Sequence, residues 1–519
     1  MPRQIPYIVG TEGCERFSFY GMRNILTPFL IGTLLMFLPE AQRAGEAKDV
    51  FHTFVIGVYF FPLLGGWIAD RFFGKYDTIF WLSLVYCAGH ACLAIWDDNI
   101  TGFYTGLLLI ALGSGGIKPL ISSFVGDQFD RTNKNKAKLV YDTFYWMINF
   151  GSFFASLLMP FFLKSYGASI AFGIPGALMF IATVIFWMGR KKYIHVPPAP
   201  PDPHSFTRVA RTALLTHKAG ESRTGLAMAS LGAAGAIGSL VMFPSWGFVI
   251  SACTALVLLL AFGGIGTSMQ LERARGAHPD EAVDGVRAVL RILIVFALAT
   301  PFFSLFDQKA STWIVQANSM VAPTLTLFGE SFKFLPAQMQ ALNPLLVMLL
   351  IPFNNLVLYP GLRKIGIEPT PLRRMTAGIV FASLSWIVIG AVQVAMDGGT
   401  PMSMTWQVLP YALLTLGEVL VSATGLEFAY SQAPRAMKGV IMAFWFLATT
   451  VGSLWVLIVN KTVKNEAVIS HIADSGFSVM AFQMYFFAAF AMAAAAVFGW
   501  YATRYTMTDN YRTDVLKPA

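Results

Sequence analysis

The strongest constraint in this sequence is a series of long apolar runs that recurs along the whole chain. Runs of about 20 mostly apolar residues have the length that an α-helix needs to cross roughly 30 Å of hydrocarbon. Helix is also the structure that satisfies the backbone hydrogen-bonding groups of such runs in a bilayer. Of the 519 residues, 56% are apolar and 13% are charged, a composition outside the range of soluble domains. We therefore predict an all-α protein that crosses a membrane many times.

Taken in order, the apolar runs predict fourteen spans arranged as six, two and six. The two middle spans are rich in glycine, alanine and serine and carry no charge, so we expect an accessory hairpin that packs through small residues. The predicted spans lie near residues 8–38, 50–73, 76–96, 102–125, 139–163, 168–189, 226–243, 247–268, 290–314, 338–360, 374–396, 404–430, 438–459 and 478–503.

A segment of different composition lies between the first six spans and the hairpin. Residues 196–203 read Val-Pro-Pro-Ala-Pro-Pro-Asp-Pro, and basic residues flank them. A proline-rich, charged segment of this kind is typical of a linker on the cytoplasmic side. The predicted units are residues 1–190 as a six-helix bundle, 191–225 as the cytoplasmic linker, 226–288 as the accessory hairpin and its loop, and 289–519 as a second six-helix bundle.

The distribution of basic residues predicts the orientation of the chain. Most of the 37 Lys and Arg fall on the side that holds both termini, so the positive-inside rule places both termini in the cytoplasm. The first span lacks the clean apolar core of a cleavable signal, so we expect it to remain as the first helix. The net charge of +9 follows mainly from this bias and indicates contact with anionic lipid, not a nucleic-acid surface.

Charged residues inside the predicted spans are the strongest functional signal. A charged side chain at bilayer depth costs about 2.5 to 3.5 kcal/mol on insertion scales, so such residues usually mark a polar pathway. Outside the hairpin they lie in the first helix of each of four three-helix units, as expected if repeats surround one cavity. These residues are Glu12, Glu15, Arg16 and Arg23, then Lys118, then Asp307 and Lys309, and finally Glu418 and Glu427.

Helical rise predicts which of these charges meet. At 1.5 Å per residue, Lys118 lies at about the depth of the first acidic residues, so we expect it to pair with Glu15 or Glu12. Arg23 and Asp307 both fall in the outer half of their spans. They are expected to bridge the two bundles on the outer side.

Static ion pairs that only hold helices together are the alternative to a functional pathway. The insertion cost argues against this alternative for the deeper charges. Glu427 is the exception, because it lies near the cytoplasmic end and is interpreted as a structural or interfacial carboxylate. Lys309 follows Asp307 by two residues, so the alternative that it points away from the cavity stays open.

Several motifs make a family resemblance specific. Residues 12–21 read Glu-Gly-Cys-Glu-Arg-Phe-Ser-Phe-Tyr-Gly and resemble the ExxERFxYYG signature of the proton-coupled oligopeptide transporter family, within the major facilitator superfamily. Residues 144–152 read Phe-Tyr-Trp-Met-Ile-Asn-Phe-Gly-Ser and are similar to that family's FYxxINxGS motif. Further similar stretches lie at 115–119, 306–308, 417–418 and 427–434.

The resemblance implies a fold and an activity. Members have the major facilitator fold of six plus six helices, and the two middle spans are extra to it. They import di- and tripeptides with protons across the cytoplasmic (inner) membrane by alternating access. For this chain we therefore expect peptides, protons and membrane lipid as partners, a monomeric state, and the proton gradient in place of a cofactor.

The resemblance also implies roles for single residues. A proton-responsive role is implied for Glu12, Glu15, Arg16, Lys118 and Asp307, the last pairing with Arg23 when the outer gate is shut. The peptide carboxylate is implied to lie near Tyr20, Arg23 and Lys118, and the α-amino group near Glu418. Further cavity-lining positions are matched by Tyr59, Asn149, Asn343, Ser422 and Trp445.

Four positions limit the transfer from the family. Phe19 replaces the first tyrosine of the YYG triplet, Phe303 stands where tryptophan is common, and Lys309-Ala310 replaces a usual Gln-Gly. Substrate preference and pH dependence are therefore expected to differ from those of better-known members. His52 resembles a histidine of animal members, and its unperturbed pKa suits proton capture, but an interfacial role stays open.

Two other classes of function compete with peptide import. One is a transporter of the same fold with another cargo, such as nitrate or a drug, but Glu418 opposite the cations favours a zwitterion. The other is an intramembrane enzyme, which is disfavoured because the chain has no HExxH, GxSxG or glycine-rich phosphate loop. The four cysteines show no CxxC spacing, so we expect neither a disulfide framework nor a metal site.

Overall fold

The chain folds into long α-helices, as the apolar runs predict. The computed structural model describes residues 3–129, 137–198, 202–216, 222–327, 330–432 and 438–507. Within these residues the helices are α1 Ile5–Phe29, α2 Glu40–Ile68, α3 Gly74–Ile95, α4 Ile100–Asp127, α5 Ala137–Tyr166, α6 Ala168–Met188, α7 Phe206–Leu215, α8 Thr224–Val241, α9 Phe243–Trp246, α10 Phe248–Gln270, α11 Asp280–Asp307, α12 Thr312–Asn318, α13 Leu342–Phe353, α14 Tyr359–Lys364, α15 Pro371–Asp397, α16 Val408–Glu418, α17 Thr424–Gln432, α18 Lys438–Thr462, α19 Glu466–Asp474 and α20 Val479–Arg504. Strands β1 Thr324–Leu327 and β2 Glu330–Lys333 form a short antiparallel hairpin.

Twelve helical segments of the described chain are long and apolar enough to cross a membrane. One of them, Glu40–Ile95, contains both α2 and α3, which the π-helical turn Ala69–Phe73 joins. Helix α1, which carries four charged residues, is not among the twelve. These two points account for the difference from the fourteen predicted spans. The prediction of an all-α membrane protein is confirmed.

The buried apolar residues form one large cluster in each half of the chain. In the first half, the ring of Phe29 lies 4.9 Å from that of Phe103 and 5.0 Å from that of Phe172, which joins α1, α4 and α6. In the second half, the rings of Trp313 and Tyr411 meet edge to face at 4.9 Å. Such aromatic pairs hold the helices in fixed positions on either side of the central site.

Glycines of a predicted motif set the close approach of α4 to its neighbours. A Cβ atom on Gly65 of α2 would overlap the carbonyl oxygen of Gly115 on α4. A Cβ atom on Gly116 would overlap the side chain of Leu82 on α3. The glycines at 115 and 116 therefore serve packing, and the close contact brings Lys118 to the side of α2.

The accessory hairpin is built from α8 and α10, which are two of the twelve membrane-compatible segments. The helices touch through small residues, since a Cβ atom on Gly266 would overlap the carbonyl oxygen of Gly225. This contact confirms the expected mode of packing. On its other side, α10 joins a small apolar cluster that includes Ile56 of α2 and Leu454 and Leu457 of α18.

Part of the predicted linker is helical, which sequence analysis did not anticipate. Helix α7 buries Val209 and Ala213, four residues apart on one face, in the core of the second half. In the same helix, the hydroxyl of Thr212 lies 2.9 Å from Nε2 of His278, which belongs to the loop before α11. The neighbouring prolines dominated the sequence pattern, so this short amphipathic segment was missed.

The loop between α1 and α2 and the loop between α18 and α19 lie at the same end of the molecule. The ammonium of Lys464, after α18, lies 2.6 Å from a carboxylate oxygen of Asp49 in α2. We call this end the outer end, after the orientation that the basic residues predict. Contacts between α2 and α18 thus form part of the seam between the two halves.

Candidate functional site

A small polar cavity lies between the two halves of the molecule. Its volume is about 50 Å³, far below the roughly 300 to 1,000 Å³ of typical small-molecule sites. Helices α1, α2 and α5 line it from the first half, and α11, α13 and α16 from the second. The lining residues are Tyr20, Arg23, Asn24, Tyr59, Ile148, Asn149, Ser152, Ser156, Phe306, Lys309, Gln340, Asn343, Pro344 and Glu418.

Most of the predicted substrate-binding residues line this cavity. Those that do are Tyr20, Arg23, Tyr59, Asn149, Asn343 and Glu418. Sequence analysis missed other polar lining residues, including Asn24, Ser152 and Ser156. The amide of Asn24 donates to the hydroxyl of Ser156, which joins α1 to α5. Neutral polar side chains cost less to insert into a membrane than charged ones. The sequence therefore does not distinguish those that line a cavity from those that join two helices.

An ion-pair network lies along α1, beyond the cavity. Nε of Arg16 lies 2.6 Å from a carboxylate oxygen of Glu12 and 3.1 Å from one of Glu15. The spacing of four residues puts Glu12 and Arg16 on the same helix face. Both glutamates are buried, and the Tyr86 hydroxyl donates to Glu15 at 3.4 Å. The three charges therefore form one buried network on α1.

Lys118 does not form the ion pair that the sequence predicts. Within the described residues, no carboxylate lies within ion-pair distance of its ammonium. Its Nζ instead lies 3.3 Å from the ring centre of Phe19 and 4.9 Å from that of Tyr59. Arg16 already occupies the facing carboxylates, and an aromatic face is an alternative partner for a buried cation. The phenylalanine that departs from the family signature is thus the nearest neighbour of Lys118.

The predicted pair between Arg23 and Asp307 is present. Nη2 of Arg23 lies 2.5 Å from Oδ1 of Asp307, and both side chains are buried. Just above it, the hydroxyl of Thr27 donates to the carbonyl oxygen of Ala310 at 2.7 Å. Both contacts join the first half to the second. They close the outer end of the cavity.

Lys309 points into the cavity, contrary to the alternative considered from its spacing. Its ammonium donates to Oδ1 of Asn343 at 2.9 Å, and the Asn343 amide donates to Glu418 at 2.5 Å. The α-helix ends at Asp307 and continues as a 3₁₀ turn over Gln308–Ala310. A 3₁₀ helix has about three residues per turn, fewer than an α-helix. The side chain of Lys309, two residues after Asp307, therefore need not face away from the cavity.

Three predicted substrate-binding residues are not among those that line the cavity, namely Lys118, Ser422 and Trp445. Trp445 packs between helices, with its ring 5.1 Å from that of Phe296 and 5.5 Å from that of Phe303. Its indole is buried in that contact. Ser422 lies in the π-helical turn after Glu418, about 6 Å further along the helix by ideal rise. Neither Trp445 nor Ser422 lines the small cavity in this conformation, and their roles in binding stay predictions.

His52 is fully buried in the protein, between the two halves. Its Nε2 lies 3.0 Å from the hydroxyl of Ser311, and its Nδ1 lies 3.5 Å from that of Ser453. Both serines belong to the second half of the chain. His52 is therefore a third contact that joins the halves at the outer end. A role of His52 in proton uptake and a role without coupling both stay predictions.

Glu427 behaves as the sequence analysis expects. Its carboxylate lies 3.2 Å from the guanidinium of Arg374 and is 56% exposed. An exposed pair of this kind contributes little stability. The contact lies within the second half, away from the central cavity.

The sequence is similar to that of known transporters. The family model PTR2, described as the POT family, matches residues 76–476, more than half of the sequence. The chain belongs to the POT family. A mouse protein, solute carrier family 15 member 2, is 32% identical over 440 residues, covering 82% of this chain and 54% of the mouse protein. Peptide transporter family 2 of Caenorhabditis elegans is 32% identical over 417 residues, covering 77% of this chain and 48% of that protein.

Solved structures extend the POT family match to nearly the whole chain. An auto-inhibited POT family peptide transporter is 64% identical, with a TM-score of 0.94 and 99% coverage of each chain. The POT family transporter PepTSo is 65% identical, with a TM-score of 0.94 and coverage of 98% and 99%. The chain spans about half the length of the curated relatives it matches. Family and fold are thereby confirmed, and the roles of single residues stay predictions.

Proposed function

We propose that the protein is a proton-coupled symporter that imports di- and tripeptides by alternating access. The observation that carries this proposal is the polarity of the central cavity. Arg23 approaches it from the first half, and Glu418 approaches it from the second. A short peptide is a zwitterion with fixed end groups and variable side chains. A cavity that offers a cation and a carboxylate therefore binds what all short peptides share.

The unused hydrogen-bonding capacity of Arg23 supports binding of the peptide carboxylate. Within the described residues, its buried Nε has no hydrogen-bond partner, although Nη2 is held by Asp307. A guanidinium presents several donors in a fixed fork, so it can bind a second carboxylate without releasing the first. At the other pole, Glu418 is held by the Asn343 amide, which an ammonium group can replace.

The size of the cavity supports alternating access. At about 50 Å³ the cavity is too small for a dipeptide, so the halves have to move apart for binding. Arg23, Thr27 and His52 join the halves at the outer end. We infer that this conformation is closed to the outside, and that these contacts break when peptide enters.

Proton coupling is proposed to act through the carboxylates next to Arg16 and Arg23. Among the described residues, one oxygen of Glu12 and one of Asp307 are buried without a hydrogen-bond partner. Protonation of such a carboxylate removes its attraction to the arginine and releases the pair. The driving force is sufficient, at about 2.3 kcal/mol per proton for each 100 mV and roughly 1.4 kcal/mol per pH unit.

The orientation and the membrane complete the proposal. The excess of basic residues on the side of both termini supports a cytoplasmic position for them in the inner membrane. Protons then enter from the outer end, where His52 and the Arg23–Asp307 pair lie. A monomer is sufficient, because both poles of the cavity come from one chain.

Uptake into vesicles tests the proposal. Purified protein in liposomes is given a radiolabelled dipeptide with and without an inwardly directed pH gradient. We expect the gradient to drive accumulation above the external concentration, and a protonophore to abolish that accumulation. Equal dipeptide uptake with and without the pH gradient would overturn proton coupling. Transport of nitrate or a drug, with no dipeptide transport, would overturn the substrate class.

A further inference from the structure

A second and larger cavity lies at the outer end, away from the central site. Its volume is about 520 Å³. The walls come from α2, from the connection between α9 and α10, and from the end of α18. The cavity therefore lies where the accessory hairpin meets the seam between the halves. Nothing in the proposed transport cycle uses it.

The two sides of this cavity differ in polarity. The hairpin side presents Trp246 and Phe248, which are 37% and 69% exposed. Its floor is apolar, because Leu457 of α18 packs with residues 249–250 of the hairpin. Asp49, Lys461 and Lys464 stand on the opposite side. An apolar floor beside a charged rim matches an amphipathic molecule, and tryptophan favours the headgroup level of a bilayer.

One of the two lysines on the rim has no ion-pair partner among the described residues. Lys464 lies 2.6 Å from Asp49 and 3.4 Å from Glu46. Although desolvation favours the neutral amine, these contacts raise the pKa of Lys464 above its ordinary value. Lys461, one helical turn earlier, forms no ion pair with any residue that the structure describes. Its ammonium is exposed and is available to an anion.

We propose that this cavity binds a membrane phospholipid, with the phosphate at Lys461 and an acyl chain against the apolar floor. Basic residues near the surface of a bilayer attract anionic lipid headgroups. The hairpin side of the cavity faces outward from the bundle, since few residues of α8 and α10 are buried. Because α2 and α18 belong to different halves, the bound lipid links the hairpin to the outer seam.

Photo-crosslinking to full-length protein tests this site. The protein is placed in phosphatidylcholine vesicles that contain a small fraction of a photoactivatable phosphatidylglycerol. We expect label in peptides that contain residues 246–250 and 457–465. Lys461→Ala is expected to lower this label about five-fold, whereas Lys461→Arg keeps it. Lys164→Ala, which removes an exposed lysine at the end of α5, serves as the matched control and leaves the label unchanged.

Three results would overturn the inference. The first is absence of label from both peptides in the wild type. The second is equal labelling of the wild type and Lys461→Ala. The third is loss of labelling on addition of millimolar inorganic phosphate, which would show that the cavity binds the free anion in place of a lipid. Monodisperse elution of each variant in size-exclusion chromatography confirms that a change in label does not reflect misfolding.

Discussion

Two groups of buried charges in this protein differ in what they connect. Glu12, Glu15 and Arg16 all belong to α1 and lie within one half. Arg23 and Asp307 are separated by 284 positions in the sequence and join the two halves. We expect a change of charge in the first group to leave the halves in contact, and loss of the second pair to free the outer end. Both groups contain a carboxylate that we propose binds a proton, but only the second group joins the two halves.

The cavity that we propose as the peptide site lies between these two groups and takes residues from both halves. Glu418 and Lys309 meet through Asn343 in the second half, and Arg23 contributes from the first. The same arginine therefore belongs to the outer pair and to the cavity. This shared residue is the physical link we propose between closing the outer end and holding the peptide.

Removal of the cavity carboxylate is expected to have the largest effect. Glu418→Gln keeps the shape and the contact with Asn343 but removes the charge that would hold the peptide ammonium. A charged hydrogen bond contributes about 2 to 3 kcal/mol, so we expect dipeptide exchange and driven uptake to fall roughly 30- to 150-fold. Glu427→Gln, which changes an exposed, ion-paired carboxylate in α17, is the control and should transport normally. Wild-type exchange by Glu418→Gln would remove that residue from the site.

A change within the α1 group is expected to separate coupling from binding. Glu15→Gln removes a proton acceptor without touching the cavity lining. Counterflow exchange of a labelled dipeptide should stay within about two-fold of wild type, while accumulation driven by a pH gradient falls by roughly ten-fold, the effect of about one pH unit of lost driving force. If exchange and accumulation fall by the same factor, the division between the two groups is wrong.

Weakening of the pair across the halves is expected to open the outer end. Asp307→Asn removes the charge that holds Arg23, and a charged contact of about 1.4 kcal/mol corresponds to a ten-fold change in population. In a background without the four native cysteines, Ser156→Cys reports on the cavity lining. An impermeant maleimide added outside should react with it about ten-fold faster in the Asp307→Asn variant.

The control for this experiment is another aspartate of the outer end. Asp397 accepts hydrogen bonds from Gln393 and Ser478, both in its own half. Asp397→Asn should therefore leave the maleimide rate unchanged. An equal increase in both variants would show that the Arg23–Asp307 pair has no special role in closing the cavity.

The smallest effect is expected at the exposed pair on the outer seam. Lys464 and Asp49 also join the halves, but the lysine side chain is 46% exposed. Exposed ion pairs contribute roughly 0 to 1 kcal/mol, so Lys464→Met should change the maleimide rate less than about five-fold. A change as large as that of Asp307→Asn would mean that burial does not distinguish the contacts that hold the halves together.

The sequence predicted the features that depend on distance along a helix. Apolar length gave the membrane helices, and helical rise brought Arg23 to the level of Asp307, a pair that the structure confirms. Features that depend on side-chain direction were predicted less well. Lys309 turns into the cavity because α11 ends in a 3₁₀ turn. Lys118 turns to the Phe19 ring because Arg16 already occupies the nearby carboxylates.

Packing between helices was the other feature that the sequence pattern did not resolve. Trp445 and Ser422 matched lining positions of the family, yet in this conformation the cavity ends before reaching them. Helix α7 was interpreted as part of a linker because of the prolines before it, although Val209 and Ala213 form a short apolar stripe on one face. In both cases the outcome depends on the neighbours of a residue in space, which its sequence position does not specify.

We propose that Glu418 recognises the amino end of a peptide. Binding of a dipeptide and of its N-acetylated form should be measured by calorimetry for the wild type and for Glu418→Gln. We predict that acetylation weakens binding to the wild type at least ten-fold, and that it has little further effect in the variant, because the two changes remove the same contact. Equal weakening by acetylation in both proteins would contradict the account.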